Sequence, residues 1–296
     1  VVKNQNEGVF QERHVERSMA FTMSFDKRPI GIFDSGVGGL SVLRAIREQH
    51  PDEDLIYIAD QAHVPYGPRP KEEVRGFGMA IVRFLLERKV KLVVVACNTA
   101  SAAALKALRA CFPALPFVGI EPAVKPAAEE TQSGVVGVLA TPATFQGELY
   151  ESTVERFAQG VTILQDTCPG LVNQIEKGHI RGEKTREILE KALRPMLGQG
   201  VDEVVMGCTH YPFVIPLIEE IVGPEVEVID PAPAVARQVG RLLDHHHLRN
   251  KPDHSGRIQF MTSGDPEAFV KSLQILLDFE SDVRKLFWVE GELREG

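Results

Sequence analysis

Four cysteines stand at positions 97, 111, 168 and 208, with no CxxC spacing among them. They therefore define neither a zinc or dithiol motif nor a disulfide framework. Two of them share a setting. VVVACNTAS (residues 93–101) and VVMGCTHYP (residues 204–212) each run an apolar, β-branched segment into a small residue, a cysteine and then polar residues opening a helix. A thiol at such a corner meets the unpaired N–H groups and dipole of a helix start, which favour thiolate. Cys97 and Cys208 are accordingly the candidate reactive pair, whereas Cys111 and Cys168 read as buried structural thiols.

Other groups gather around this pair. His210, two residues beyond Cys208, is placed as its proton partner; Cys97, Cys208 and His210 could instead offer three zinc ligands, although the fourth group and the usual spacings are missing. Asp34 ends an apolar segment, where it is either a functional carboxylate or a helix cap. The loop Asp34-Ser35-Gly36-Val37-Gly38-Gly39 lacks the third glycine of a dinucleotide fingerprint and the Lys of a phosphate loop. Its backbone N–H groups and the Ser35 hydroxyl suit a small anion. Pro65-Tyr66-Gly67 is a turn that could cover the same edge, and His245-His246-His247 reads as a solvated helix end. With no Arg pair in these loops, a small carboxylate or zwitterion fits best.

These residues need a scaffold that places strand ends together. From residue 28 onward, short β-branched runs alternate with amphipathic stretches, the pattern of βα units on a largely parallel sheet. Strands are expected near 30–33, 55–58, 91–95, 117–120, 135–139, 161–164, 203–206, 227–229 and 258–261. Nine are too many for one small sheet. The clearest helix is 71–88, with Val74, Phe77, Gly78, Ile81, Val82, Leu85 and Leu86 on one face. GIFDSGVGG (residues 31–39) precedes the first cysteine segment much as GVLATPATF (residues 137–145) precedes the second, so the second half reads as a diverged copy of the first. The expected fold is two similar α/β domains related by a pseudo-twofold, with the active site in the cleft between their strand C-termini. The expected division is 28–121 with 233–296 for the first domain and 122–232 for the second.

Composition narrows the function. The 296 residues carry 33 Lys and Arg against 41 Asp and Glu, a net charge of −8, which disfavours nucleic acid as a partner. The longest apolar run, residues 92–97, is far below the roughly 20 residues needed to cross a bilayer. Residues 1–27 form a charged N-terminal extension with no apolar core, so it is not a secretory signal, and cytoplasmic residence is the default expectation. Met19 and Met23 within it are plausible start sites.

DSGVGG at 34–39, PYG at 65–67, ACNTAS at 96–101, GVLAT at 137–141 and GCTHYP at 207–212 together resemble the glutamate racemase family of the aspartate/glutamate racemase superfamily. The resemblance runs from about residue 29 to 243. It implies interconversion of L- and D-glutamate with no cofactor and no metal. One cysteine removes the Cα proton while the other delivers a proton to the opposite face. By that resemblance Cys97 acts on D-glutamate and Cys208 on L-glutamate, with Asp34 and His210 beside them positioning or deprotonating the thiols. Ser35, Tyr66, Gly67, Asn98, Thr99 and Thr209 match positions that hold the substrate, as do Asp34 and His210, and Thr141 mirrors Ser35. Glu176 resembles a glutamate that assists the second cysteine in some members, but its local sequence departs from their pattern, so it is not assigned as catalytic. The resemblance further implies a homodimer and a D-glutamate supply for peptidoglycan in a bacterial cytoplasm.

Three other readings remain at this point: a superfamily member acting on aspartate, a two-domain protein that binds small anions without chemistry, and a zinc hydrolase.

Overall fold

The computed structural model describes residues 25–296; residues 1–24, with Met19 and Met23, lie outside them. Among the described residues, eleven strands form two sheets. The first contains β1 (Ile30–Asp34), β2 (Leu55–Ala59), β3 (Leu92–Val95), β4 (Phe117–Gly119), β9 (Ile258–Thr262), β10 (Val283–Val289) and β11 (Glu292–Glu295). The second contains β5 (Val135–Ala140), β6 (Thr162–Asp166), β7 (Glu203–Gly207) and β8 (Glu227–Ile229). The first sheet runs β11-β10-β9-β2-β1-β3-β4 and the second β6-β5-β7-β8.

The order β2-β1-β3-β4 in one sheet is repeated as β6-β5-β7-β8 in the other, the structural counterpart of the internal repeat. All pairings are parallel except that of β10 with β11. Every residue of β1, β3 and β7 is buried, because helices cover both faces of a parallel sheet and leave no solvated side to alternate with. One apolar cluster joins the two sheets, running from Ile30, Leu43 and Tyr57 through Tyr211 and Met206 to Leu193.

The helix Lys71–Glu87 buries Val74, Ile81, Val82 and Leu85. Leu86, expected on that face, is exposed instead. A stripe of seven positions is wider than the arc this helix turns toward its neighbours. The hairpin β10–β11 was not expected, since β10 interleaves charge with apolar residues and β11 is a four-residue edge strand with three charged side chains. His245 ends the helix Ala232–His245, and all three histidines are exposed, as a solvated helix end should be. Cys111 is exposed, against the expectation of a buried thiol, because it ends the helix Asn98–Cys111. Cys168 is buried.

Candidate active site

The C-terminal ends of β1, β3, β5 and β7 deliver Ser35, Cys97, Thr141 and Cys208 to one cavity whose free volume is only about 20 Å³, room for about one water, so the site stands closed in this state. Tyr66, Gly67, Asn98, Thr99, Thr209 and His210 line it too, with Pro65 and Val172. Among the described residues the lining contains no Lys or Arg, so apart from His210 an anionic ligand would meet neutral hydroxyl, amide and backbone donors. Asn98 is buried, and among the described residues neither its Oδ1 nor its Nδ2 has a hydrogen-bond partner. A buried amide with both ends free costs stability unless a ligand engages it.

Cys97 is the N-cap of the helix Asn98–Cys111, its sulfur accepting from the Ala100 N–H at 3.5 Å and reaching the Ser35 hydroxyl at 3.9 Å. The helix start was expected to favour thiolate here. Instead burial first, and then the charge of Asp34, push the Cys97 thiol well above its ordinary range, outweighing the Ala100 and Ser35 bonds. Complete desolvation beats a partial dipole charge. Cys97 is thus a protonated acid in this state.

The second cysteine sits in different surroundings. Cys208 is followed by a turn and a short 3₁₀ helix, Tyr211–Val214, not by the α-helix expected. Its neighbour His210 places Nδ1 3.7 Å from the Cys208 sulfur and Nε2 2.6 Å from Glu176 Oε1. Burial pulls the imidazole pKa down, but the bonds and charges of Cys208 and Glu176 prevail and raise it well above its usual range. For Glu176 burial pushes upward, yet His210, the Val37 N–H and Gln61 hold the carboxyl below its usual value. The result is a buried imidazolium–carboxylate pair directed at Cys208.

Glu176, left unassigned in the sequence, thus reaches the site through His210. It ends the helix Leu171–Glu176 and crosses to the glycine loop, where the Val37 N–H donates to Oε1 at 2.9 Å. The loop's expected anion contact is made, in this state, to a carboxylate of the protein itself. A Cβ on Gly36 would lie 2.0 Å from Glu176 Oε1, and one on Gly38 2.4 Å from His210 Nδ1. Those glycines exist for close approach.

Asp34 lies behind the cavity, fully buried, accepting from the Gly36 N–H at 3.0 Å and lying 3.4 Å from the Thr209 hydroxyl. Burial raises its pKa despite the opposing influence of His210 and the Gly36 and Gly39 N–H groups. It does not cap a helix, since the next helix begins after Gly39 with no side-chain cap. Across the cavity Thr99 and Thr141 share a hydrogen bond of 3.0 Å, and a Cβ on Gly67 would press on Thr141 at 3.3 Å.

The Tyr66 hydroxyl donates to Asp60 Oδ2 at 2.6 Å. Asp60, which sequence reading passed over, is fully buried and also engages His63, Ser263 and the Trp288 indole N–H at 2.7 to 2.9 Å. The unforeseen hairpin is thereby tied to the cavity wall. Asp60→Asn would set an amide N–H₂ against these donors and leave a buried group unpaired, at about 1–3 kcal/mol. The expected result is a roughly tenfold rise in KM with a smaller change in kcat. Trp288, the sole tryptophan, should change its emission on substrate binding in the native enzyme and lose that response in the variant. An unchanged KM would detach Asp60 from the site.

A two-lobed, mostly parallel α/β protein whose matched strand ends bring two cysteines to one cavity belongs to a recognisable class, that of α/β racemases. The family model described as Asp/Glu/hydantoin racemase matches residues 30–239, and the chain belongs to that family. It is 50% identical over 250 residues, 84% of its own length and 92% of the relative's, to a glutamate racemase of Roseiflexus sp.. A glutamate racemase isoform from Bacillus anthracis shares the fold at a TM-score of 0.77 and 32% identity, covering 87% of this chain and 96% of that one. The Francisella tularensis glutamate racemase, solved in complex with D-glutamate, superposes at 0.76 and 28% identity, covering 88% and 97%.

Proposed function

We propose that the chain interconverts L- and D-glutamate by a two-base reaction needing no cofactor, with Cys97 and Cys208 as the catalytic pair. The observation that carries this reading is that the two cysteines stand just past the ends of the equivalent strands β3 and β7 and line one cavity. The glutamate racemases named above support the substrate.

For L-glutamate, the Cys208 thiolate takes the Cα proton, the electron pair is delocalised toward the α-carboxylate, and the Cys97 thiol delivers its proton to the opposite face. One thiolate is consumed and the other formed, so charge balances. The asymmetry of the site suits this direction: burial and Asp34 hold the Cys97 proton, while His210, raised well above the usual imidazole range, places its ring against the Cys208 sulfur. In reverse, Cys97 is the base and Asp34 the buried carboxylate that acts on it. Ser35, Asn98, Thr99, Thr141 and Thr209, with the backbone at Tyr66 and Gly67, would hold the carboxylates and amino group.

We read 28–121 with 233–296 and 122–232 as two domains closing on the substrate, a division supported by the partition of strands between the sheets. The proposed setting is a bacterial cytoplasm, the enzyme acting as a homodimer and its product feeding peptidoglycan precursors. No helix among the described residues is long and apolar enough to cross a membrane.

The test is conversion of L-glutamate to D-glutamate by reduced, metal-free protein without pyridoxal phosphate, with L-aspartate alongside. Turnover of glutamate supports the reading. Turnover of aspartate alone would reassign the substrate, and no turnover of either would overturn it.

A further inference from the structure

At the end of the second sheet opposite the cysteines, three carboxylates converge. Glu203 begins β7, Glu227 begins β8, and Glu130 ends the helix Val124–Glu130. One oxygen from each lies within 4.8 Å of the others. Glu203 and Glu227 are register partners across the parallel pair, so their side chains leave the sheet on the same face, and like charges so placed repel. Such a juxtaposition needs something to offset it.

Glu203 shows what is missing. It is only 5% exposed, and its Oε2 is buried with no hydrogen-bond partner among the described residues. The charged groups acting on it are Glu227, Asp202 and Glu130, all anionic. Asp202 cannot relieve it, since a carboxylate has no proton to donate; its oxygens accept from the Thr131 hydroxyl and the Gln132 and Ser133 N–H groups at 2.5 to 2.7 Å. Those bonds anchor the turn after Glu130 and so fix where Glu130 stands.

We propose that Glu130, Glu203 and Glu227 form a binding site for a hard divalent cation, remote from the reaction centre. Three carboxylate oxygens with no nitrogen or sulfur suit calcium, magnesium or manganese rather than zinc or copper. The buried Glu203 oxygen supplies the inner ligand, and the exposed Glu130 and Glu227 close over the ion while water completes its shell. The cation would tie the helix end to the first residues of β7 and β8, on the sheet whose other end carries Cys208.

The experiment is Ca²⁺ and Mn²⁺ binding to the full chain by titration calorimetry, with thermal unfolding in CaCl₂ or MgCl₂ against NaCl of equal ionic strength. The native protein should bind one ion saturably, with Kd on the order of 10⁻⁴ to 10⁻³ M as for open carboxylate sites, and its Tm should rise with the ion. Glu203→Gln should weaken binding at least about tenfold and remove the Tm shift, while racemase turnover in chelator stays at the native level. Glu130→Gln, on the exposed helix end, is the second variant should Glu203→Gln fold poorly, and it too should weaken binding. Binding unchanged in both variants would overturn the site. So would the absence of saturable binding by the native protein up to about 10 mM, an order of magnitude above the weakest expected Kd.

Discussion

Cys97→Ser and Cys208→Ser are each expected to lower racemisation by about 10²–10⁴-fold, the span associated with a positioned acid or base, while leaving the fold intact. Serine keeps the volume and the local hydrogen bonds, but its hydroxyl is far too weak an acid to exchange roles with a thiolate. L- and D-glutamate have equal free energy, so kcat/KM must fall equally in both directions for either variant. Racemisation alone therefore cannot tell the two faces apart. An irreversible reaction can. With a glutamate analogue bearing chloride at Cβ, loss of the Cα proton expels chloride, and the resulting enamine hydrolyses to 2-oxoglutarate and ammonia without any proton delivery to the opposite face. Cys208→Ser should keep this elimination from the D-analogue and lose it from the L-analogue, with Cys97→Ser the reverse. Native-rate racemisation by either variant would refute the two-base assignment.

Glu176→Gln carries the second large effect. Glu176 touches no reacting atom; it is a positioning residue that acts through His210 on Cys208. Turnover should drop roughly 10²-fold, the scale of a misplaced catalytic group, and elimination from the L-analogue should fall with it while that from the D-analogue is spared. Stability supplies an independent readout. The pKa of Glu176 is lowered in the fold, so its contribution is present above its ordinary value of 4.5 and lost as pH falls through the depressed one. That of His210 is raised, so its contribution is complete below its ordinary 6.5 and lost as pH rises through the elevated one. The gap in Tm between native and Glu176→Gln proteins should be widest between about pH 4.5 and 6.5 and narrow on both sides. Breaking a buried pair of this kind costs on the order of 3–5 kcal/mol. A gap independent of pH would deny the ion pair.

The parts of the site carried by strand ends were legible in the sequence, and the parts carried by distant contacts were not. β1, β3, β5 and β7 announce themselves because strands buried on both faces are continuous apolar runs, and Asp34, Cys97, Thr141 and Cys208, at or just past their ends, follow from where those runs stop. The repeat was readable because both cysteine loops kept their shape. Glu176 meets His210 from 34 positions away, and no periodicity or spacing encodes such a meeting. Gly36 and Gly38 were the available clue, since a glycine-rich loop that fits no nucleotide fingerprint is one that something else must approach closely. Asp60 and Trp288, 228 positions apart, left no trace of the same kind. The Cys97 thiol was misjudged for a different reason: the helix start can be read from the sequence, but the depth of burial that overrides it belongs to the tertiary structure.

The most direct test of the two-cysteine mechanism is turnover of protiated L-glutamate in D₂O, followed at low conversion. A deuterated Cys97 thiol delivers the new Cα hydrogen, so the account predicts D-glutamate carrying solvent deuterium at Cα while the remaining L-glutamate stays protiated. D-glutamate that retained the substrate's own proton would mean that a single group serves both faces, and would contradict it.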